Sequence, residues 1–421
     1  MRVPLSIALA VLLMAPSTRA QTTPVQVPAF RETVGALGSG QVVQGSTVWL
    51  NPVDPSRSLL LVADNFAGLL VYSIDGSARF QQADGPVQGV DVQDGFVAGT
   101  DGGIQSLVMV ANTSSGLVSY TIDPSTLAIS RAGIANFTPS GITPNSLALY
   151  ANAQGRLFVF VGSATGQVAQ YAVTPGTDGG ISPTALRTFT VGNAVVGLTV
   201  DDALGQLYVA ERNRGIWRYG AESDAGDARA AVDDISQGLV SPVGGLALYA
   251  GTGSDGYLLA AGAGDNAVRV YKRNPADQAR VGSFVITQDG GVDAVDFPRV
   301  LAVTNRPLGT LFPQGMVAVQ DSANTGENEN FKLVPWNTVA TAFEPDLLIN
   351  TGAPTSPDAG SGDGGTSGDG GSVIVGPPPD GPPVELEPEE ETCGCSSASV
   401  PGTVMLLAAG LLLVRRRSSP R

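Results

Sequence analysis

Histidine is absent from this chain of 421 residues. Its absence excludes Ser-His-Asp and Cys-His hydrolases, phosphatases with a histidine nucleophile, and zinc sites that use imidazole. Any catalysis must therefore depend on carboxylates, Lys, Arg or Tyr, or on a hard cation held by oxygen atoms, most naturally calcium.

Cysteine and positive charge are also scarce. Both cysteines, Cys393 and Cys395, lie near the C-terminus, so the long segment before them contains no disulfide and no thiol nucleophile. Lys and Arg number 23 against 38 acidic residues, which gives a net charge of −15. We expect no nucleic-acid partner, because binding one depends on Lys and Arg that neutralise phosphates.

What the sequence does contain is a repeat with a period of roughly 50 residues. Each copy is an apolar run, a polar turn and a second apolar run that closes on tyrosine. The closing residues are Tyr72, Tyr120, Tyr171, Tyr219 and Tyr271, and a looser sixth copy reads GMVAVQDSANTGENENFKLVPW. A second set of apolar runs, such as VVGLTVDDALG and VGGLALYAG, recurs before these hairpins. The pattern predicts an all-β fold over residues 21–350, a six-bladed β-propeller with four-stranded antiparallel blades. A β-sandwich or a β-helix fits four strands per unit less well.

The N-terminus and the segment after the repeats have different compositions. Residues 1–20 have the order of a secretory signal peptide, with Arg2, an apolar run and a small-residue site ending at Ala20. A buried N-terminal strand is the alternative. Residues 351–392 are rich in Gly, Ser and Asp and then in Pro and Glu, which predicts a disordered linker.

The last segment, residues 393–421, combines cysteines, a short apolar stretch and a basic cluster. Its marked residues are Cys393, Cys395, Arg415, Arg416 and Arg417. This order resembles the C-terminal sorting tag of myxobacterial surface proteins. The resemblance implies export, removal of the apolar and basic parts, and retention at the cell surface or outer membrane through the cysteine region. An ordinary transmembrane tail anchor is the alternative.

Several segments resemble the β-propeller phytases. They include VWLNPVDPSRSLLLVADNFAGLLVYSIDG, VVGLTVDDALGQLYVAERNRGIWRYGAE and FPQGMVAVQDSANTGENENFKLVPW, in order along the chain. The resemblance implies calcium-dependent hydrolysis of phytate, the 3-phytase type of phosphomonoester hydrolysis. Calcium ions in the channel would bind the substrate phosphates and activate a water molecule.

Four acidic residues fall on positions that matter in that family. Glu211 falls on a channel glutamate and is our candidate catalytic residue, while Glu32, Asp321 and Asp91 are candidate calcium ligands. For Glu32 and Asp321 the resemblance implies a structural calcium site that joins the first and last blades.

The alternatives for these residues are structural. Glu211 precedes Arg212 and Arg214 and could form a solvated ion pair. Asp91 could be a carboxylate that links blades. The pair Asp201-Asp202, which also matches the family, could simply open a turn.

Uncharged or apolar residues stand at many positions where the family has channel acids, bases or a substrate-contacting tyrosine. These are Gln44, Gly45, Asn65, Phe66, Thr113, Asn145, Ala164, Val196 and Gly244, and the segment 289–299 is altered. A site that holds several calcium ions needs several carboxylates close together. These substitutions favour a loss of catalysis.

Two functions are consistent with these sequence features. The first is a secreted, surface-retained phytase-like enzyme acting on phytate or another phosphomonoester with calcium. The second is a non-catalytic propeller that acts as a binding or scaffold module at the cell surface. A propeller hydrolase acting on carbohydrates or lactones is a weaker third. The sequence gives no sign of oligomerisation, so we expect a monomer.

Overall fold

The computed structural model describes residues 23–98, 103–133, 136–176, 180–324 and 326–351. The predicted signal peptide and C-terminal tag, with Cys393, Cys395, Arg415, Arg416 and Arg417, lie outside the described residues, as does the predicted linker beyond residue 351.

The described residues form a ring of six antiparallel sheets. Blade I contains β3 (Val43–Trp49), β4 (Leu59–Asp64), β5 (Gly68–Ser73) and β6 (Ala78–Gln82); blade II contains β7 (Val87–Ala98), β8 (Gly103–Asn112), β9 (Gly116–Ile122) and β10 (Ile129–Arg131); blade III contains β11 (Pro144–Ala151), β12 (Leu157–Ser163), β13 (Gln167–Pro175) and β14 (Ile181–Thr190). Blade IV contains β15 (Val195–Asp201), β16 (Gln206–Glu211), β17 (Gly215–Gly220) and β18 (Arg229–Asp234); blade V contains β19 (Val243–Ala250), β20 (Gly256–Gly262), β21 (Ala267–Lys272) and β22 (Arg280–Thr287); blade VI contains β23 (Leu301–Thr304), β24 (Met316–Asp321) and β25 (Asn330–Pro335). The prediction of a six-bladed propeller with four-stranded blades is confirmed.

The repeat seen in the sequence forms the middle two strands of each blade. Every residue of β4 and of β12 is buried, because the middle of a blade is covered on both faces by its neighbours. The closing tyrosines pack in the interior as well: Tyr120 and Tyr271 are fully buried. The hydrophobic clusters therefore lie between adjacent blades, and one of them joins Tyr150 of blade III to Val209 of blade IV.

The N-terminal segment closes the ring, an arrangement that the sequence did not predict. Two short strands, β1 (Val25–Pro28) and β2 (Arg31–Glu32), precede blade I. Strand β2 pairs antiparallel with β25 and supplies the fourth strand of blade VI, with Glu32 opposite Lys332. Strand β1 pairs in parallel with β22 and becomes a fifth strand of blade V.

The six innermost strands, β3, β7, β11, β15, β19 and β23, surround a narrow channel. Most of them carry a register shift near their first residues, for example between Val195 and Gly197. A glycine at this point lets neighbouring backbones approach closely: a Cβ atom on Gly197 would lie 2.9 Å from the Gly245 Cα atom. The neck of the channel is accordingly small, with a volume of about 40 Å³.

The chain leaves the propeller at the end of blade V where β19 finishes. After the short helix α1 (Trp336–Ala340), the Asn350 N–H donates to the Tyr249 hydroxyl at 3.0 Å. The Asn305 amide links the carbonyls of Ala250 and Asn350, at 2.6 and 2.9 Å. Ala250 ends β19, so residue 350 lies at the opposite end of that strand from Val243. The remaining helical segments are single 3-10 turns at Pro55–Arg57 and Ile235–Gln237. Within the described ranges, no helix has the length and apolar character needed to cross a membrane.

Candidate functional site

A pocket of about 360 Å³ opens at the mouth of the channel. Two kinds of segment form it: the first residues of inner strands, and the tips of the hairpins between second and third strands. The inner strands contribute Val43, Asn145, Val196 and Gly244, and the tips contribute Ala164, Arg212 and Ala263. The pocket lies at the end of the molecule where repeat proteins of this architecture present variable loops.

Two charged side chains line this cavity, which we call the mouth pocket, and both are positive. Arg212 and Arg299 are its charged lining residues, and among the described residues that line it none is Asp or Glu. The structure brings together five of the substituted positions singled out in the sequence: Gln44, Asn145, Ala164, Val196 and Gly244. Gly45 lies deeper, in the neck. Neither Asn65, Phe66 nor Thr113 lines the mouth pocket.

Gly244 has a steric reason to lack a side chain. A Cβ atom built on it would lie 2.4 Å from the backbone oxygen of Arg299, a distance that no real contact allows. A glutamate at this position would therefore require the backbone of the segment before β23 to move.

Glu211 is buried beneath the pocket rim and fully hydrogen-bonded. Its side chain is 3% exposed. Oε1 accepts hydrogen bonds from the Asn193 backbone N–H and side-chain amide, both at 2.8 Å, and Oε2 accepts from the Trp217 indole N–H at 2.7 Å. Its nearest cation is Arg229, at 4.0 Å. It does not line the mouth pocket, so a catalytic role for Glu211 remains a sequence-based prediction.

Asp91 links three consecutive blades. Its Oδ1 accepts from Thr47 of β3 at 3.3 Å and from the Val92 backbone at 2.9 Å, and its Oδ2 accepts from the Leu149 N–H of β11 at 2.8 Å. Burial raises the pKa of Asp91 to about 6. These contacts correspond to the structural alternative, and metal binding by Asp91 stays a prediction.

The Asp201-Asp202 pair divides between two environments. Asp201 forms a buried bidentate ion pair with Arg273, at 2.5 and 2.6 Å. Burial raises the pKa of Asp202 to about 8, and the nearby charges of Asp91 and Asp201 act in the same direction. Asp201 therefore joins blades IV and V, which is more than a turn-opening residue does.

The acidic residues at the seam between the first and last strands of the ring converge on one ammonium group. Lys332 Nζ, fully buried, contacts Glu32 Oε2 at 2.7 Å, Asn330 Oδ1 at 3.0 Å and Asp321 Oδ2 at 3.3 Å. It also contacts Asp293. Burial alone would lower the pKa of Lys332, but Asp293 and Glu32 raise it. The structure thus brings Glu32 and Asp321 against the same ammonium group and adds Asp293; their role as calcium ligands stays a prediction.

Comparison with known proteins decides the family. A sequence profile of the phytase family matches residues 3–354. The chain belongs to the phytase family. Over 337 residues it is 26% identical to the 3-phytase of Bacillus subtilis (strain 168), in a match that covers 76% of this chain and 87% of that protein. Among solved structures, crystals of BBS1N in complex with ARL6DN, soaked with lead or mercury, match with 13% identity and TM-scores of 0.44 and 0.43. Each match covers 74% of this chain and 97% of that chain.

Phytases of this family depend on calcium, and the channel mouth of this member does not fit that ion. Calcium requires six to eight oxygen ligands, several of them carboxylates. The mouth pocket offers two guanidinium groups and no carboxylate. Across the described ranges, no three Asp, Glu or Cys side chains are grouped so that they could hold a metal ion in their present arrangement.

The seam fits calcium better in its chemistry. Its donors are carboxylate and amide oxygens, which suit a hard cation. Three carboxylates face one ammonium group, which leaves two negative charges unbalanced in this phytase-family seam. Asp321 Oδ2 is buried and has no hydrogen-bond donor among the described residues apart from the 3.3 Å ion pair with Lys332. Glu32, Asp293, Asp321 and Asn330 are the residues that would hold the ion, once their oxygen atoms rearrange away from the Lys332 ammonium group that they now contact.

Sequence reasoning missed Arg299, Lys332 and Asp293 as members of the candidate sites. Arg299 closes the altered segment 289–299, and Lys332 stands in the NFKLVPW motif. The isolated positive charges of Arg299 and Lys332 in an acidic chain were the available signal. The contact of Lys332 with Glu32 required the ring closure, which brings residues 300 positions apart into contact.

Proposed function

We propose that this protein is a phytase-family propeller that no longer hydrolyses phytate and acts as a binding module. The observation that carries the proposal is the mouth pocket, where two arginines and no carboxylate line the cavity within the described part of the chain. Calcium-assisted phosphate transfer needs ions that both neutralise the phosphate and lower the pKa of the attacking water. Without carboxylates to hold them, that chemistry has no site at the mouth.

The decisive experiment is phosphate release from phytate by the purified protein, with calcium in excess and again with chelator. The 3-phytase of Bacillus subtilis, assayed in parallel, is the positive control. We expect release from the control only, and a circular dichroism spectrum rich in β-structure from both proteins. Calcium-dependent release from this chain would establish it as an active phytase and would end the proposal, with Glu211→Gln as the first variant to assay.

We also propose that one calcium ion binds at the seam and stabilises the closed ring. Support comes from the four oxygen donors around Lys332 and from the two unbalanced negative charges there. Calcium is expected to raise the thermal midpoint of the protein. Asp293→Asn should remove most of this increase, whereas Asp289→Asn, an exposed residue in the same loop, should keep it. Equal melting curves with calcium and with chelator would contradict this second proposal.

For the location of the protein, we propose export and retention at the cell surface. The order of segments supports it: a signal-like stretch over residues 1–20, a linker over 351–392 and the Cys-apolar-Arg segment over 393–421. Protease added to intact cells should digest the protein. The double variant Cys393→Ala and Cys395→Ala should shift it to the medium, and an unchanged distribution would exclude the cysteines as the retention signal.

A further inference from the structure

We infer that the mouth pocket binds a small organic anion directly through Arg212 and Arg299, without a metal ion. The inference rests on the proposed function, because it names the class of ligand for the same pocket. The ligand chemistry is an oxyanion head, phosphate or carboxylate, carrying one or two negative charges on an apolar body.

Arg299 provides a fixed guanidinium group. Its side chain is 13% exposed and forms an ion pair with Glu329 at 3.0 Å. Nη2 also donates to the Val43 carbonyl at 3.1 Å, and Nε donates to the Ser322 hydroxyl at 3.3 Å. None of these bonds uses Nη1. A guanidinium held in this way loses little conformational entropy when it binds a ligand.

Arg212 provides a second, uncommitted charge. Its backbone is fixed on both sides, since its N–H donates to the Ala194 carbonyl and its own carbonyl accepts from the Val243 N–H, both at 3.0 Å. Its side chain has no hydrogen bond or ion pair to any part of the chain that the structure describes. The adjacent Glu211 forms no ion pair with it: that carboxylate accepts hydrogen bonds from Asn193 and Trp217, and its cationic neighbour at 4.0 Å is Arg229.

The two guanidinium groups lie close enough for the charge of Arg212 to affect the pKa of Arg299. Burial lowers the pKa of Arg299, Glu329 opposes this, and the charge of Arg212 lowers it again. Two like charges lining one pocket repel each other. An anion between them would replace this repulsion with charge-assisted hydrogen bonds, which are about twice as strong as neutral ones.

The rest of the pocket sets the size and polarity of the ligand. Val196, Val243, Ala263 and Val300 supply apolar walls next to the partly buried Arg299, while Arg212 stands at the exposed side of the pocket. Phe297 lines the rim with a φ of 54°, an unfavourable conformation for an aromatic residue that is typical of functional sites. The volume of about 360 Å³ is at the small end of ligand sites. A polyanion such as phytate would exceed the two positive charges and would meet a chain with a net charge of −15.

Titration calorimetry with phenyl phosphate and with benzoate, in excess chelator, tests the inference and separates the two heads. We expect saturable binding of at least one probe. Arg212→Gln should weaken it about tenfold or more, because a hydrogen bond to a charged group is lost. The matched control is Arg214→Gln, an exposed arginine on the same hairpin tip that does not line the pocket, and it should bind like the parent protein.

Arg299→Gln is a second variant, and its melting curve shows whether it folds. If it folds, it too should weaken binding. The inference is overturned if neither probe binds the parent protein, if binding needs calcium, or if Arg212→Gln and Arg214→Gln bind equally. Each of these outcomes is separate from the phytate assay, which tests only the loss of catalysis.

Discussion

At the scale of single residues, Arg273 is the best example of a charge used for structure. Its side chain is fully buried, pairs with Asp201, and donates through Nη1 to the carbonyls of Gly251, Gly253 and Asp255. One guanidinium group thus satisfies a carboxylate of blade IV and three carbonyls of the turn between β19 and β20 in blade V.

Arg273→Met is expected to lower the free energy of unfolding by about 3–5 kcal/mol, because it leaves Asp201 buried without a partner. Urea titration followed by tryptophan fluorescence would measure the loss. Arg218→Met is the control, since Arg218 joins the same blades through the neutral oxygens of Pro275 and Gln278 and should cost only about 1–2 kcal/mol. Equal losses of unfolding free energy in the two variants would show that the buried ion pair contributes no more to stability than the neutral hydrogen bonds of Arg218.

Two adjacent glycines make a second test at this scale. Gly244→Ala should destabilise the protein by about 1–3 kcal/mol, because the new Cβ would meet the Arg299 carbonyl at 2.4 Å. At Gly245 the same carbonyl is 3.5 Å away, an ordinary contact, so Gly245→Ala should be nearly neutral. The thermal midpoints of the two variants decide the point. If they are alike, the segment before β23 adapts, and a glutamate at position 244 becomes possible.

At the scale of elements, the strands were predictable and their closure was not. The runs SLLLVADNFAGLLVYSIDG and RLFVFVGSATGQVAQYAV indicate buried hairpins by composition and by their Gly-containing turns. The strand VQVP and the pair Arg31-Glu32 are too short to be recognised as strands in the sequence. Their pairing partners lie in blades V and VI, far along the chain, so no local pattern indicates the pairing. In the site, Val196 and Gly244 were located by their flanking residues, whereas Arg299 depends on long-range packing that no local pattern encodes.

The two N-terminal strands should contribute more to the stability of the protein than their lengths of four and two residues suggest. Deleting residues up to Glu32 removes β1 and β2, including the fully buried Val27, and exposes the edges of β22 and β25. We expect a loss of at least about 2 kcal/mol of stability and a tendency to aggregate. Deletion only up to Pro24 leaves both strands intact and should behave like the parent protein in melting and size-exclusion experiments.

At the scale of the whole molecule, two partly buried carboxylates predict how stability depends on pH. The folded-state pKa values of Asp202 and Asp91, about 8 and about 6, exceed the ordinary value of 3.8. The folded protein therefore binds more protons than the unfolded chain in this range, so their contribution is complete below pH 3.8 and is lost as the pH rises to about 8.

Asp202→Asn should flatten this dependence and stabilise the protein at pH 8 by about 1–3 kcal/mol, since a buried charge is removed. Urea titrations at several pH values would measure it, with the exposed Asp224→Asn as the control. Parallel pH profiles for the parent protein and Asp202→Asn would show that Asp202 titrates normally.

The hydrogen bond from Asn350 to Tyr249 fixes the point at which the chain departs from the propeller. The mouth pocket lies at the start of β19, and the chain departs from the end of the same strand. Entry to the pocket and departure of the chain therefore lie at opposite ends of one strand, so a ligand held by Arg212 and Arg299 would not obstruct the outgoing chain.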